Sequence, residues 1–424
     1  MLVPEAPLDA YRSDLARDKS REDFGGADTI WLLTAHCISR ISRCSDSDLL
    51  TLGAQCAAAL RDFTEPSSDG SQIPQVEVGD LLLVVEGLSN LRTRDGADAL
   101  TRGVRGMANR MVYAGALSMA YTLVSLTRSV ADGASDRERG LVAADHGMIA
   151  RFLGDLDAAE EIYRAAEGIG EGSKDMTVLA RVYIGRGVID RVRGNYPRSR
   201  IYFERGLELA ETVGDRELRR LSHQGLTICH AIGKNFDRAL LHGWSTLQLA
   251  ENNTDREIEA LGNLAQLCLD AGFPAAALRA YAAVFSRALT PRIALGALGG
   301  AAIAAAHAGE PNVLARARDE ITARVSTSGL PYENAQALYN LATAYAGVGD
   351  LGNRDEFLGR ARKLAKARGF FELLHKTDPD LVTKAAQRPS TSSPLTRPSQ
   401  DVVSFLNEFE VGDAAGVLLL TRSS

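Results

Sequence analysis

Six glycines punctuate the middle and later parts of this 424-residue chain at nearly constant intervals: Gly154, Gly194, Gly233, Gly272, Gly309 and Gly349, separated by 40, 39, 39, 37 and 40 residues. A fixed period of this length marks a chain assembled from stacked repeats. It also resolves a difficulty raised by length, because one hydrophobic core rarely serves so many residues. In a stack each repeat packs only on its neighbours, so the array can grow without a larger core.

The residues around each glycine describe the unit. Seven positions before it stand Gly147, Gly187, Leu226, Ala265, Ala302 and Ala342, five of the six small. Nine positions after it stand Tyr163, Phe203, His242, Tyr281, Arg318 and Leu358, four of the six bulky and apolar or aromatic. Five positions after it, Ala159, Ser199 and Ala277 are small again. A small residue on one helix admits a bulky one from its partner, so the pattern predicts an antiparallel helical hairpin with a short turn at each glycine. A glycine there ends the first helix in the left-handed conformation without steric cost. Asp155, Asn195 and Asp350 follow as candidate caps. Pro197, Pro274 and Pro311 fall in the first turn of the second helix, where a missing N–H costs nothing. Low aromatic content, 6% of residues, and abundant alanine and leucine favour helices throughout.

Tyr339-Asn-Leu-Ala-Thr-Ala-Tyr-Ala-Gly-Val-Gly-Asp350 resembles the first helix of a tetratricopeptide repeat, and Arg193-Gly-Asn-Tyr-Pro-Arg-Ser199 and Lys234-Asn-Phe-Asp-Arg-Ala239 resemble that family's turn and second-helix start. The resemblance spans about residues 140–370. The period is longer than the family's 34 residues, and it is similar to the variant found in sensor domains of bacterial regulators and adaptors. The resemblance implies an all-α, right-handed superhelical solenoid of antiparallel hairpins that binds a protein or peptide in its concave groove.

Outside the array the sequence divides further. Residues 1–25 read as a polar N-terminus, 26–96 as a helical cap, 97–138 as a degenerate hairpin, 139–375 as the repeat array, 376–400 as a Ser/Pro-rich linker, and 401–424 as a short helix with an apolar tail at Val417–Leu420. Within the cap, helices are expected over 28–45 and 48–63, and another from an Asp80 cap to Leu91, with Gln75–Val78 alternating like a short strand.

Several function classes are disfavoured. The net charge of −6 argues against a general nucleic-acid binder. Cys37, Cys44, Cys56, Cys229 and Cys268 match no zinc or redox spacing and read as reduced, mostly buried thiols, which fits a cytoplasmic protein. No signal peptide is evident, and the uncharged stretch Ile293–Gly309 is rich in Gly and Ala and lies in repeat register, so no membrane span is expected. Phosphate-binding loops, dinucleotide fingerprints, His-Glu-x-x-His and Gly-x-Ser-x-Gly are absent. No catalysis, metal or cofactor is expected.

In a helical-repeat array the first helices line the groove. The position nine before each glycine reads Asp145, Gly185, Gln224, Asn263, Gly300 and Asn340. In the family this position often carries an asparagine that grips a peptide backbone, so the resemblance implies that role for Asn263 and Asn340, and less directly for Asp145 and Gln224. An amide donates and accepts at once and suits an extended backbone. Three before each glycine stand Arg151, Arg191 and His230, followed by Leu269, Ala306 and Ala346; with Arg181 they make the early groove basic. Arginines grip carboxylates in two-pronged fashion, so an acidic or C-terminal carboxylate group is the expected ligand, unless those arginines pair with Asp190, Glu204 and Glu208 instead. Two other readings stay open: a ligand-sensing transcription regulator that contacts DNA through its N-terminal helices, and a self-associating homo-oligomeric scaffold whose tail docks in a groove.

Overall fold

The structure, a computed structural model, describes residues 26–45, 48–61, 75–113, 116–250, 254–288, 290–326, 331–368, 370–387 and 395–408. Among these every regular element is helical. The chain forms two compact units, residues 1–218 and 219–424. The first holds α1 (Gly26–Ile41), α2 (Leu49–Arg61), α3 (Gln75–Ser89), α4 (Arg94–Tyr113), α5 (Leu117–Val130), α6 (Asp136–Phe152), α7 (Leu156–Ser173), α8 (Met176–Val192) and α9 (Tyr196–Val213). The second is built on α10 (Arg216–Ile232), α11 (Phe236–Ala250), α12 (Thr254–Asp270), α13 (Pro274–Ser286), α14 (Pro291–Ala308), α15 (Pro311–Val325), α16 (Pro331–Gly347), α17 (Leu351–Arg368), α18 (Phe371–Lys376), α19 (Pro379–Ala385) and α20 (Arg397–Glu408).

The hairpin turns follow the expected chemistry. Gly154, Gly194, Gly272, Gly309 and Gly349 have φ between 77° and 88°, the left-handed region. Gly233 departs from the rule: the left-handed residue there is its neighbour Lys234, at φ 55°. Asp155 Oδ1 accepts from Ala158 N at 2.9 Å and Asp350 Oδ1 from Asn353 N at 3.0 Å, so both cap the next helix. Asn195 occupies the cap position without a side-chain bond, and Pro197 behind it takes the first turn. Pro274 and Pro311 open α13 and α15 in the same way.

Helix packing realises the alternation of small and bulky positions. A Cβ added at Gly147 would lie 3.0 Å from the Tyr163 ring, and one at Gly187 would lie 3.1 Å from Phe203. Ser199 Oγ donates to the Gly187 carbonyl at 2.7 Å, fully buried. Ala159 and Ala277 are likewise buried completely. The uncharged stretch over Ile293–Gly309 forms α14, whose Leu295, Leu298 and run of alanines lie in the core of the second unit. No helix among the described residues is long and apolar enough to cross a membrane.

Three expectations are corrected. Gln75–Val78 is not a strand but the first turn of α3. Asp80 is no cap: it sits inside α3, ion-paired to Arg110 of α4 and set against Gly106, whose missing side chain makes the room. The expected linker 376–400 is interrupted by α19 and by the first turn of α20, held by contacts described below. Residues 1–25, 388–394 and the apolar segment Val417–Leu420 lie outside the described residues. All five cysteines are free, and all but Cys44 are buried; burial pushes the Cys268 thiol up to about 12.

Candidate functional site

The ladder nine positions before each glycine runs between successive first helices. Its members have two kinds of neighbour. One is the residue thirteen before the next glycine, one helix further along. In the first unit Asp145 of α6 meets Arg181 of α8, with Arg181 Nη1 donating to Oδ1 at 3.0 Å. Arg105 of α4 donates through Nε to the other oxygen at 2.7 Å and through Nη1 to Glu138 at 3.1 Å. Asp145 is 2% exposed, so this chain of charges is a tie between three helices rather than an open binding group. In the second unit Gln224 of α10 reaches Glu259 of α12 by the same step, Nε2 to Oε1 at 2.7 Å, with Arg220 Nη1 3.9 Å from the Glu259 carboxylate.

The other neighbour is a tyrosine nine after the preceding glycine. Gly185 and Gly300 are the two glycines of the ladder. A Cβ at either would collide with the ring of Tyr163 or Tyr281 respectively. They are seats for the preceding repeat's tyrosine and not gaps left for a ligand. Tyr281 completes its seat by donating from Oη to Gln266 Oε1 at 2.8 Å.

Asn263 and Asn340 remain. For Asn263 the register partner, thirteen before Gly309, is Gly296. A Cβ built there meets nothing within 4 Å. Asn263 is half-buried and makes no side-chain hydrogen bond among the described residues. Asn340, also half-buried, accepts from Gln336 Nε2 of its own helix at 2.9 Å, while its Nδ2 lies 2.6 Å from where a Gly299 Cβ would stand. Gln336 bonds within its helix because its own register partner is the glycine at 300.

The arginine positions are mixed. Arg186 is held by Glu160 and Glu167 of α7 at 2.9 and 2.7 Å, Arg198 lies 3.2 Å from Asp190, and Arg193 lies 2.6 Å from Asp157. Asp190 and Glu204 are thus met by Arg198 and Arg200 and not by the groove arginines for which that pairing was the alternative. Arg151 lies half-buried with its guanidinium 4.4 Å over the Phe152 ring, and Arg191 is half-buried at the end of α8.

His230 is displaced from the groove reading: it is 5% exposed and stacks on His242 of α11, centroids 5.4 Å apart and planes within 3°. His223 Nδ1 lies 2.9 Å from His242 Nδ1. One of those nitrogens donates and the other accepts, so at least the accepting ring is neutral. Burial, with Arg219 beside it, holds His223 down to about 4; burial and then its histidine neighbours hold His242 there too. His223 and His230 lie seven apart in α10, on either side of Leu226, and His242, nine after Gly233, comes to them from α11. No set of three metal-ligating side chains is gathered among the described residues.

Neither a protein-family model nor a curated protein matches the chain. Among solved structures it is similar to a signal transduction ATPase with numerous domains, carrying a tetratricopeptide repeat sensor, from Pyrococcus horikoshii, with a TM-score of 0.54 and 14% identity over 89% of this chain and 70% of that one. Weaker likenesses are to BtubC from P. vanneervenii (TM-score 0.34, 14% identity, 64% of this chain and 91% of that one) and to a Rap protein complexed with competence and sporulation factor (TM-score 0.45, 12% identity, 85% and 99%). The fold is thus an all-α stack of hairpins of the tetratricopeptide-like kind.

Proposed function

We propose that this chain is a non-enzymatic protein- or peptide-binding module, an adaptor or regulatory sensor, and that the first-helix face of its second unit receives an extended segment of the partner. The observation that carries this reading is Asn263. It is the one amide of the ladder that makes no side-chain hydrogen bond among the described residues, and it stands at a register where Gly296 leaves space. A peptide backbone supplies both the acceptor and the donor that such an amide lacks. Asn340 offers its Nδ2 at the same register. In the first unit Asp145 and Arg181 are committed to each other, and a carboxylate-bearing partner would there have to compete with the contacts Arg151 makes to Tyr163 and Phe152. The Pyrococcus protein's repeats are described as a sensor, and a sensing or adaptor role here accords with that likeness in fold.

The test is selection of peptides from a random library on the full chain, followed by isothermal titration. Asn263→Ala is expected to weaken the selected peptides about tenfold, the loss of one or two amide hydrogen bonds. Gly296→Glu, which gives Asn263 a partner of its own, is expected to weaken them similarly. Unchanged Kd values in Asn263→Ala, Asn340→Ala and Gly296→Glu, with melting curves intact, would refute the reading.

A further inference from the structure

We infer that the groove between α11 and α13 is a second protein-interaction surface, built to receive an amphipathic helix from a partner and closed in cis by the chain's own α20. This surface lies on second helices and does not depend on the first-helix reading above.

The register shows how α11 differs from its equivalents. Eleven positions after each marker glycine stand Ala165, Arg205, Trp244, Ala283, Glu320 and Arg360; fourteen after stand Gly168, Glu208, Leu247, Ser286, Ala323 and Lys363. Only α11 places two large apolar residues on this outward face. Such a face in water calls for a cover, and α20 provides it. Val402, Val403 and Leu406 are buried against the second unit, and Phe405 meets Trp244 edge-on at 4.8 Å between centroids.

The seat also reads the start of the incoming helix. Asp237, in the first turn of α11, accepts from Thr396 N and Thr396 Oγ1 at its Oδ1, both at 2.8 Å, and its backbone carbonyl accepts from Ser399 Oγ at 3.0 Å. A carboxylate at a helix N-terminus satisfies N–H groups that have no partner within the helix. Although burial works the other way, the bonds from Ser399 and Thr396 hold the Asp237 carboxyl below its ordinary range. The face thus specifies a helix with a Ser/Thr start and apolar residues three, four and seven positions on from the buried serine, the spacing by which amphipathic helices enter grooves.

The cis occupant fits incompletely. A cleft of about 370 Å³ lies between Trp244, Leu247, Leu261, Arg287 and Phe405. A second, of about 260 Å³, lies between Leu241, Trp244, Pro398 and Val402. Phe405 remains 43% exposed. Twelve residues are too few to be a stable helix alone, so α20 depends on its seat against α11 and α13. A partner helix with a larger aliphatic group at the Val402 position would fill the smaller cleft and compete. The occupant inferred is therefore a foreign helix of α20's pattern with leucine in place of that valine.

The probe is a fluorescein-labelled synthetic peptide of residues 395–408 carrying Val402→Leu, titrated by anisotropy into full-length protein. Wild type is expected to bind weakly. A chain whose own α20 is expelled by Val403→Asp with Leu406→Asp should bind at least tenfold tighter, and Phe405→Ala, which loosens α20 without touching the repeat core, should fall between. Adding Trp244→Ala to the expelled chain should abolish the gain. Neither variant binding tighter than wild type, while circular dichroism and melting show folded repeats, would overturn the inference, as would tight binding that survives Trp244→Ala. A wild-type dimer in light scattering that disappears on α20 expulsion would also overturn it, by assigning the seat to a second copy's α20.

Discussion

The two units apply one register to different ends. In the first, the position nine before the glycine holds Asp145, buried and shared between Arg105 and Arg181. In the second, the same position holds Gln224, Asn263 and Asn340, half-buried amides with weaker commitments. Second helices contrast as well: α9 presents Arg200, Glu204 and Arg205 outward, whereas α11 presents Trp244 and Leu247 under a covering helix. The lesson is that glycines, small residues and aromatics fix the stack, while the remaining ladder positions are free to diverge into a structural tie or a binding group.

The largest expected effect breaks the tie. Asp145→Ala leaves two arginines facing an empty buried site, and removing one partner of a buried pair costs about 3–5 kcal/mol. Urea unfolding should show that loss, against a small one for Gln224→Ala. Next come the tyrosine seats. Gly185→Ala and Gly300→Ala force a methyl group into the Tyr163 and Tyr281 rings and should each cost about 1–3 kcal/mol through overpacking. Gly262→Ala, also helical but with open space around it, should stabilise by about 0.5–1 kcal/mol, the backbone entropy that glycine gives up. A shared sign for all three substitutions would show that the seats are not what distinguishes them.

Acid should weaken both units. His146 in the first is held down to about 4 by burial and then by Arg128, whose Nη1 lies 2.9 Å from its Nδ1. His223 and His242 in the second are depressed to the same value. Between about pH 6.5, where a histidine in the unfolded chain titrates, and pH 4, the unfolded chain binds more protons than the folded one. Stability therefore rises with pH across that window and is lost as pH falls through it. Denaturant midpoints at pH 7 and pH 5 should show the drop, and His146→Gln together with His242→Gln should flatten it. The smallest effect belongs to Gln224→Ala: its bond to Glu259 is exposed, and about 0.5–1 kcal/mol is expected.

Much of the fold was legible because its determinants are local or periodic. The glycine spacing, the proline-opened helices and the pairing of small with bulky positions all recur at fixed offsets, and the structure repeats them. The candidate site was legible only in part, because its chemistry depends on what faces each position one repeat away. Asp145 looks like an open acid until Arg181, thirteen before the next glycine, is set beside it. Gly185 and Gly300 look like vacant rungs until the tyrosines arrive. His242 falls at the bulky position that faces α10, but its register alone does not set its ring against His223. The docking of α20 was hidden by composition: Ser, Thr and Pro around 387–400 read as a linker, although Ser399, Val402, Val403 and Leu406 already hold helical spacing. What the sequence lacked was the distant Asp237 that anchors that first turn.

The tyrosine seats carry one more consequence, for anyone wishing to rearrange the array. A module ending in Tyr163 or Tyr281 can be followed only by one that opens with glycine at the matching rung, so these neighbours are keyed to each other. Shuffling or duplicating such modules would set a ring against a side chain. Transplanting each keyed pair as a single block should preserve the stack.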